Sequence, residues 1–405
     1  MLYVCGNKNV VKMAWVYTQT ITGPVAEGAD YFRRDEIHEE FWREIKKGQH
    51  ILFVAPRRVG KSSVMKELTK DHPEEFCAFY ENIESDSTRE EFYKRLFILL
   101  IEHTGKYNKF KKGLAGFFKQ RGLGEISAEG IKFEHKGLDY KKELLLLVEI
   151  LGKEKGHIVI FLDEFPDVIK GVITNEGIEA ARDMLQTLRS LRSKDTLRNF
   201  TFVFAGSIGI EHVVSELGRL SAVNDLHPIK ISALSRPEGI LFIQHLLRGA
   251  SMKINDAVHE YLLDKIEHLL PYYFQLMIEL CDKYLAKENR PDLTNGDIDR
   301  VFDAVVLEGR NFTDWESRLT DYLQKADARY CIGLLTRCAH TPSYTLNEAY
   351  DYAVLVSCNE QYKNLIDDVL VKDGYLVCED NNYRFLSPFL KAWWGKRHPA
   401  FEIKN

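Results

Sequence analysis

The run His50-Ile51-Leu52-Phe53-Val54-Ala55 leads directly into Pro56-Arg57-Arg58-Val59-Gly60-Lys61-Ser62-Ser63 and then into a helical stretch over 64–70. An unbroken apolar run of this length is a strand covered on both faces, as in a parallel sheet flanked by helices. A strand, a tight loop, Gly-Lys-Ser and a helix constrain the chain more than any other feature. Backbone N–H groups and the positive end of the helix dipole then converge on one point, which suits a phosphate. In that arrangement Lys61 reaches the β- and γ-phosphates of a nucleoside triphosphate and the Ser62 hydroxyl ligates Mg2+. Ala55, Pro56, Arg57, Arg58, Val59, Gly60 and Ser63 complete the candidate nucleotide-binding loop. The first glycine of the GxxxxGK(S/T) pattern is replaced by Ala55, which is tolerated where φ is negative and strained where the backbone is left-handed.

A second half of the site follows about a hundred residues later, a separation that leaves room for an intervening strand and helices. Ile158-Val159-Ile160-Phe161-Leu162 is an apolar strand that ends in Asp163-Glu164. Asp163 is placed to hold the metal through water, and Glu164 to orient and polarise a water for attack on the γ-phosphate. Alone, such a strand end could simply cap a helix. After the lysine loop, in this order, it reads as the catalytic partner of Lys61. A further strand, 200–205, ends in Gly206-Ser207. Lying between the other two, it would present Ser207 to the γ-phosphate as a polar sensor; a Gly-Ser turn that closes a strand accounts for the same residues.

The rest of the chain alternates in the same manner. Apolar strands are expected at 76–83, 158–162, 200–205 and 229–234, and helices at 35–47, 89–103, 140–152 and 177–192, with Gly48 as a helix C-cap. The class is therefore α/β with a parallel sheet. Residues 106–137 differ, with eight Lys or Arg against Glu125, Glu129 and Glu134. This basic stretch reads either as a phosphate-contacting surface or as an inserted helix and hairpin with a solvated face. Beyond 234 the pattern is helical, with candidates at 238–247, 256–268, 272–287 and 295–307. Three more helices, 326–339, 346–354 and 360–372, precede two short strands, 374–378 and 383–386, joined by Glu379-Asp380-Asn381-Asn382; three helices and a hairpin read as a winged helix. The expected division is an N-terminal extension over 1–22, a core over 23–235 with the basic insertion 105–137, a helical lid over 236–325 and a winged helix over 326–405.

Composition sets the outer limits. At 405 residues, 45% hydrophobic and 28% charged, the chain has material for several ordinary cores, and its net charge of −5 gives it no overall basic surplus. No apolar run approaches the length of a membrane span, and the N-terminus lacks a secretory pattern, so a cytoplasmic protein is expected. Seven scattered cysteines without a CxxC pair read as buried thiols rather than as a disulfide framework or zinc site.

These motifs together resemble the archaeal-type ATPases of the additional-strand P-loop class, close to the AAA+ superfamily and the STAND NTPases. The likeness rests on the Tyr31-Phe32-Arg33-Arg34-Asp35 box, the Pro-Arg-Arg-Val-Gly-Lys-Ser loop, Phe161-Leu162-Asp163-Glu164-Phe165, and the Tyr383-Arg384-Phe385 to Trp393 tail. It implies an α/β core with a parallel sheet in the order 5-1-4-3-2, a helical lid and a winged helix, with ATP and Mg2+ as cofactors. Arg34 and Asp35 would close the nucleotide pocket, and Pro271 would carry over from a Gly-x-Pro turn that is Leu269-Leu270-Pro271 here. Where relatives place an arginine before the last strand, this chain has Asn224-Asp225-Leu226-His227, and Arg219 is the nearest candidate finger.

The leading expectation is an ATP-hydrolysing molecular switch acting on a protein partner or by self-association. The alternatives are an ATP-loaded scaffold with negligible turnover and an ATPase that touches DNA without reading bases, through 105–137, since the candidate recognition helix near 360–368 carries more carboxylates than cations. No membrane partner is expected.

Overall fold

The structure, a computed structural model, describes residues 14–55, 57–121, 126–127, 130–131, 137–193, 197, 199–206, 213–214 and 217–399. Five parallel strands form the central sheet: β1 (Ile51–Val54), β2 (Phe76–Asn82), β3 (His157–Asp163), β4 (Phe200–Gly206) and β5 (His227–Lys230). Their order is β2-β3-β4-β1-β5, which is the expected 5-1-4-3-2 read from the other edge. β4 lies between β1 and β3, with Phe204 in register with Leu52 on one side and Leu162 on the other. The ends of β1 and β3 are thereby brought to one carboxyl edge of the sheet, the edge at which open α/β sheets bind ligands.

The apolar runs are continuous because both faces are covered. Ile51, Phe53, Val159, Phe161, Val203 and Ala205 pack into one buried cluster, while Leu52, Ile158, Ile160, Leu162, Phe202 and Phe204 pack into the other. Each such side chain contributes ~1.5–3 kcal/mol of burial. The first cluster includes helices Asp35–Lys46 and Lys61–Lys70; the second is closed by Arg89–Thr104, Asn108–Arg121, Tyr140–Leu151, Phe165–Glu176 and Ile178–Arg192. Gly48, with φ 81°, ends the first helix as expected.

Helix Asn108–Arg121 buries Phe110, Leu114, Phe117 and Phe118 and turns Lys111, Lys112 and Lys119 to solvent. Together with the short paired strands Ile126–Ser127 and Gly130–Ile131, it is the inserted helix and hairpin; Lys132 and Lys136 lie outside the described residues.

One strand boundary needs correction. β5 ends at Lys230, and 231–234 leave the sheet; Leu234 donates its N–H to the Leu269 carbonyl at 2.9 Å. Ile231 and Leu234 are apolar because they pack beneath the helices that follow. Those helices are Arg236–Leu246, Asp256–Ile266, Pro271–Glu288 and Asn295–Glu308. Ser235 with Glu238 and Thr294 with Asp297 form reciprocal capping boxes at two of their N-termini. Three of the longer helices have no counterpart in the sequence pattern, Phe165–Glu176, Thr313–Tyr322 and Pro388–Arg397.

The C-terminal part contains helices Lys325–His340 and Leu346–Leu355, then Tyr362–Asn364 widening into a π-type turn over Leu365–Val371. Strands β6 (Tyr344–Thr345), β7 (Leu376–Glu379) and β8 (Asn382–Phe385) form an antiparallel sheet in the order β6-β8-β7. Asp380 and Asn381, both at positive φ, make the tight two-residue turn of its hairpin. Helix Pro388–Arg397 closes the unit through Phe389, Leu390, Trp393 and Trp394, and its apolar contacts run without a break into the core beneath β1.

Residues 14–22, within the expected 1–22 extension, are bound to the helical part. Trp15 Nε1 and the Thr18 N–H both donate to the buried Asp282 carboxylate, at 2.8 and 2.7 Å, and the Ile21 N–H donates to Gln275 Oε1 at 2.6 Å. The segment continues to the phosphate helix, where Ala26 N–H meets Ser63 Oγ at 3.1 Å and Gly28 N–H meets Glu67 Oε1 at 2.8 Å. Cys77, Cys281, Cys331, Cys338 and Cys358 are buried free thiols, as expected, and Cys378 is exposed. Among the described residues no helix is long and apolar enough to cross a membrane.

Candidate active site

The loop after β1 enters helix Lys61–Lys70 through two left-handed residues, Arg58 (φ 69°) and Gly60 (φ 94°). Ala55 is not among the positive-φ residues, so the missing first glycine brings no strain. At Gly60 an added Cβ would meet nothing within 4 Å; its glycine is required by φ alone. Pro56 lies outside the described residues, as does Ser207, the expected polar sensor.

Lys61 is the first residue of the helix and is 8% exposed. Its Nζ lies 3.0 Å from Asp163 Oδ1 and 3.4 Å from Glu164 Oε1. Asp163, fully buried at the end of β3, accepts from Ser62 Oγ at 2.6 Å and from the Tyr80 hydroxyl at 3.0 Å, both on Oδ2. Burial and the neighbouring Asp163 carboxylate push the Tyr80 phenol well above its ordinary pKa, so it stays protonated and keeps the proton it donates to Asp163. Glu164 takes a left-handed conformation (φ 59°, ψ 37°) at the N-cap of helix Phe165–Glu176. Local geometry thus places a lysine, a hydroxyl and two carboxylates at one point, from residues about a hundred positions apart.

Lys61, Ser62 and Glu164 open onto a cleft of about 360 Å³, with Asp163 buried behind them; its walls also include Arg57, Arg58, Gly60 and Ser63. Val59 and Pro271, the first residue of its helix, also line it. Arg34 forms part of the wall, donating from Nη1 to the Ser232 carbonyl at 2.8 Å and pairing through Nε with Glu238 at 3.3 Å. Asp35 does not reach it. This expected pocket residue is exposed and bound to Arg33 instead, because the first turn of its helix points away from the cleft. Arg219, the candidate finger, is likewise exposed and outside the lining.

The cleft also contains residues that sequence reasoning missed. Arg318, Tyr272 and Gln275 line it, as do Glu84, Asp167 and, from the N-terminal segment, Ile21, Val25 and Phe32. The Arg57 guanidinium lies 5.5 Å from the centre of the Trp315 ring and that of Arg58 4.3 Å from Tyr272. Arg57 Nη1 and Arg58 Nε are buried and find no hydrogen-bond partner among the described residues. Burial lowers the pKa of Arg57, and the charges of Arg318 and Arg58 lower it further; burial raises those of Glu84 and Asp167. Five cations, Lys61, Arg34, Arg57, Arg58 and Arg318, are thus gathered around one cleft; Arg34 is paired with Glu238, and Arg57 and Arg58 each have an orphaned nitrogen. An anion there would satisfy both the charge and the donors.

Residues 43–214 match the AAA domain family. No curated protein matches the chain. Among solved structures, the chain is similar to the Walker-type ATPase PABY2304 of Pyrococcus abyssi, with a TM-score of 0.62 and 17% identity over 92% of this chain and 98% of that one. It is also similar to the Aeropyrum pernix ORC2 protein in its ADPNP–ADP complexes, with a TM-score of 0.52 and 14% identity over 88% and 89%. At these identities the likeness concerns the fold. With the lysine loop and the Asp163-Glu164 strand end, the AAA match makes residues 43–214 an AAA domain of the P-loop ATPase type.

Proposed function

We propose that the protein is an ATP-hydrolysing molecular switch of the AAA+-like or STAND type, in which nucleotide state sets the position of the helical and C-terminal parts relative to the core. The observation that carries this is the meeting of Lys61, Ser62, Asp163 and Glu164 at the head of a cationic cleft. The division into a core over 23–235, a lid over 236–325 and a winged helix over 326–405 belongs to this reading, supported in its last part by the three helices and the β6-β8-β7 sheet.

Ser62 and Asp163 offer two hard oxygens 2.6 Å apart, a donor set suited to Mg2+, which takes one or two protein oxygens and fills its other positions with phosphate and water. Bound there, Mg2+ would neutralise charge on the β- and γ-phosphate oxygens. Lys61, whose ammonium now rests on Asp163 and Glu164, would turn to the phosphates, leaving Glu164 to accept a hydrogen bond from the attacking water. Tyr80 holds Asp163 from behind. The apolar end of the cleft, formed by Ile21, Val25, Phe32, Ile231 and Leu234, suits a nucleobase.

Phosphate release from ATP, measured with and without Mg2+, tests the reading. Glu164→Gln should bind ATP and fail to turn it over, and unchanged turnover in that variant would remove Glu164 as the base.

A second role draws on Lys106, Lys111, Lys112 and Lys119, all exposed on the insertion. Their spacing supports a sequence-independent contact with DNA phosphates. Four such contacts would give a log–log salt slope of about −3 to −4, and no binding at low salt would exclude the role. A protein partner or self-association remains the principal output of the switch, and a cytoplasmic setting fits that output.

A further inference from the structure

We infer that Arg318 is a γ-phosphate sensor supplied from within the chain, and that helix Thr313–Tyr322 transmits what it senses to the C-terminal sheet. The inference rests on the nucleotide reading above and adds a residue and an element to it.

Trp315, Arg318 and Tyr322 stand at i, i+3 and i+7, on one face of the helix. All three meet the core at the cleft. Trp315 faces the Arg57 guanidinium, Arg318 lines the cleft together with Glu84, Glu164 and Asp167, and the Tyr322 hydroxyl donates to Asp167. Lys170 secures the end of the helix, with Nζ 3.2 Å from the Tyr322 carbonyl and 3.5 Å from the centre of its ring. Asp167 and Lys170 both lie on the helix that begins directly after Glu164.

The same helix also grips the C-terminal part, through Trp315 again and through Glu316. The Tyr375 hydroxyl donates to the Trp315 carbonyl at 2.7 Å, and the two rings meet edge to face at 4.8 Å. Glu316 pairs with Arg397 and, at 3.2 Å, with His398. Ten residues therefore touch the phosphate loop, the helix behind the catalytic carboxylate, and both β7 and the last helix at their margins.

The charges say what Arg318 is for. Arg318 is close enough to Arg57 to disfavour the charge of Arg57, and a further anion at the head of the cleft would relieve that repulsion. ATP places one more phosphate than ADP beside Lys61, toward the carboxylates that Arg318 accompanies. ATP should draw helix Thr313–Tyr322 onto the cleft and ADP should not, so that two ligands of similar shape select different positions of the C-terminal part.

The test compares Mg-ATP and Mg-ADP binding by calorimetry in a Glu164→Gln background, with and without Arg318→Ala. Loss of one charge-assisted contact should weaken ATP about ten- to hundred-fold while ADP changes less than about threefold. Arg318→Lys should recover part of the ATP affinity. Hydrogen exchange should show helix 313–322 and residues 374–379 better protected by ATP than by ADP, a difference that Arg318→Ala erases. Tyr322→Phe keeps the arginine and should retain the ATP preference while reducing that protection. Equal losses for the two nucleotides, or none, would overturn the sensor. If the Glu164→Gln parent bound neither nucleotide, the underlying nucleotide reading would fall instead.

Discussion

Glu164 is a long, charged side chain at φ 59°, where glycine is the usual occupant, and replacing it gives a sharp test of the site geometry. A left-handed conformation costs an L-residue with a Cβ roughly 1–2 kcal/mol. Glycine avoids that cost but loses about 0.4–1 kcal/mol through the greater freedom of its unfolded chain. Glu164→Ala and Glu164→Gly remove the same carboxylate and the same contact with Lys61, so their difference isolates the backbone. Glycine should come out ahead by about 0.5–1 kcal/mol, or ~1–4 °C in Tm for a cooperative unit of 150–250 residues. At an ordinary helical residue the order is the reverse, with glycine the less stable by a similar amount. Thermal unfolding without nucleotide, read by tryptophan fluorescence, supplies the comparison, and phosphate release should be abolished in both variants. An alanine variant as stable as the glycine variant would refute the left-handed turn. The carboxylate would then be held in some other way.

Lys61→Ala should abolish nucleotide binding in a fluorescent-ATP titration, leaving Asp163 held by the Ser62 and Tyr80 hydroxyls; affinity within about threefold of the wild type would contradict the site. Asp282→Ala strands the Trp15 indole and the Thr18 amide, each unmet donor costing ~1–3 kcal/mol, so Tm should fall and limited proteolysis should cut within 14–22. An unchanged digestion pattern would show that the N-terminal segment is held elsewhere. Burial holds His50 and His157 down to about 4, against 6.5 for free imidazole. His50 Nδ1 accepts the Phe202 N–H at 3.1 Å, which a proton would prevent. Because the unfolded chain takes up these protons first, stability should be flat above about pH 6.5 and fall between 6.5 and 4. NMR titration that finds both imidazoles near 6.5 would sink this.

The elements that could be read in the chain are those whose physics is local. β1, β3 and β4 declare themselves because a strand covered on both faces has no polar side to hide, and the loop at Gly60 because only a few residues suit its backbone. The order of the strands came instead from the family resemblance that these motifs carry. Local pattern misled at 231–234, where an apolar run means packing beneath helices rather than sheet. At Phe165–Glu176 the helical spacing is present in Phe165, Val168, Ile169 and Val172, but mostly on β-branched residues of lower helix propensity. Arg318, Tyr272 and Gln275 left no local mark, since what makes them part of the cleft is tertiary packing over more than a hundred residues. Asp35 shows the converse. It sits beside Arg34 in sequence, but Arg34 is the extended N-cap residue and Asp35 the first residue of the helix, and only Arg34 faces the cleft.

The strap at 14–32 has a bearing on biosynthesis. Trp15 waits for Asp282, 267 residues downstream, and Ile21 for Gln275, 254 residues downstream. At about 5–20 residues per second, the ribosome delivers those partners roughly 15–50 s after the strap has been made. The sheet can assemble in that interval, yet the cleft lacks the wall of Pro271, Tyr272 and Gln275 until helix Pro271–Glu288 has emerged, so the early core offers a nucleotide only part of its site. This segment is made before its partners and is among the last to find its place, and until then a chaperone or protease can reach it.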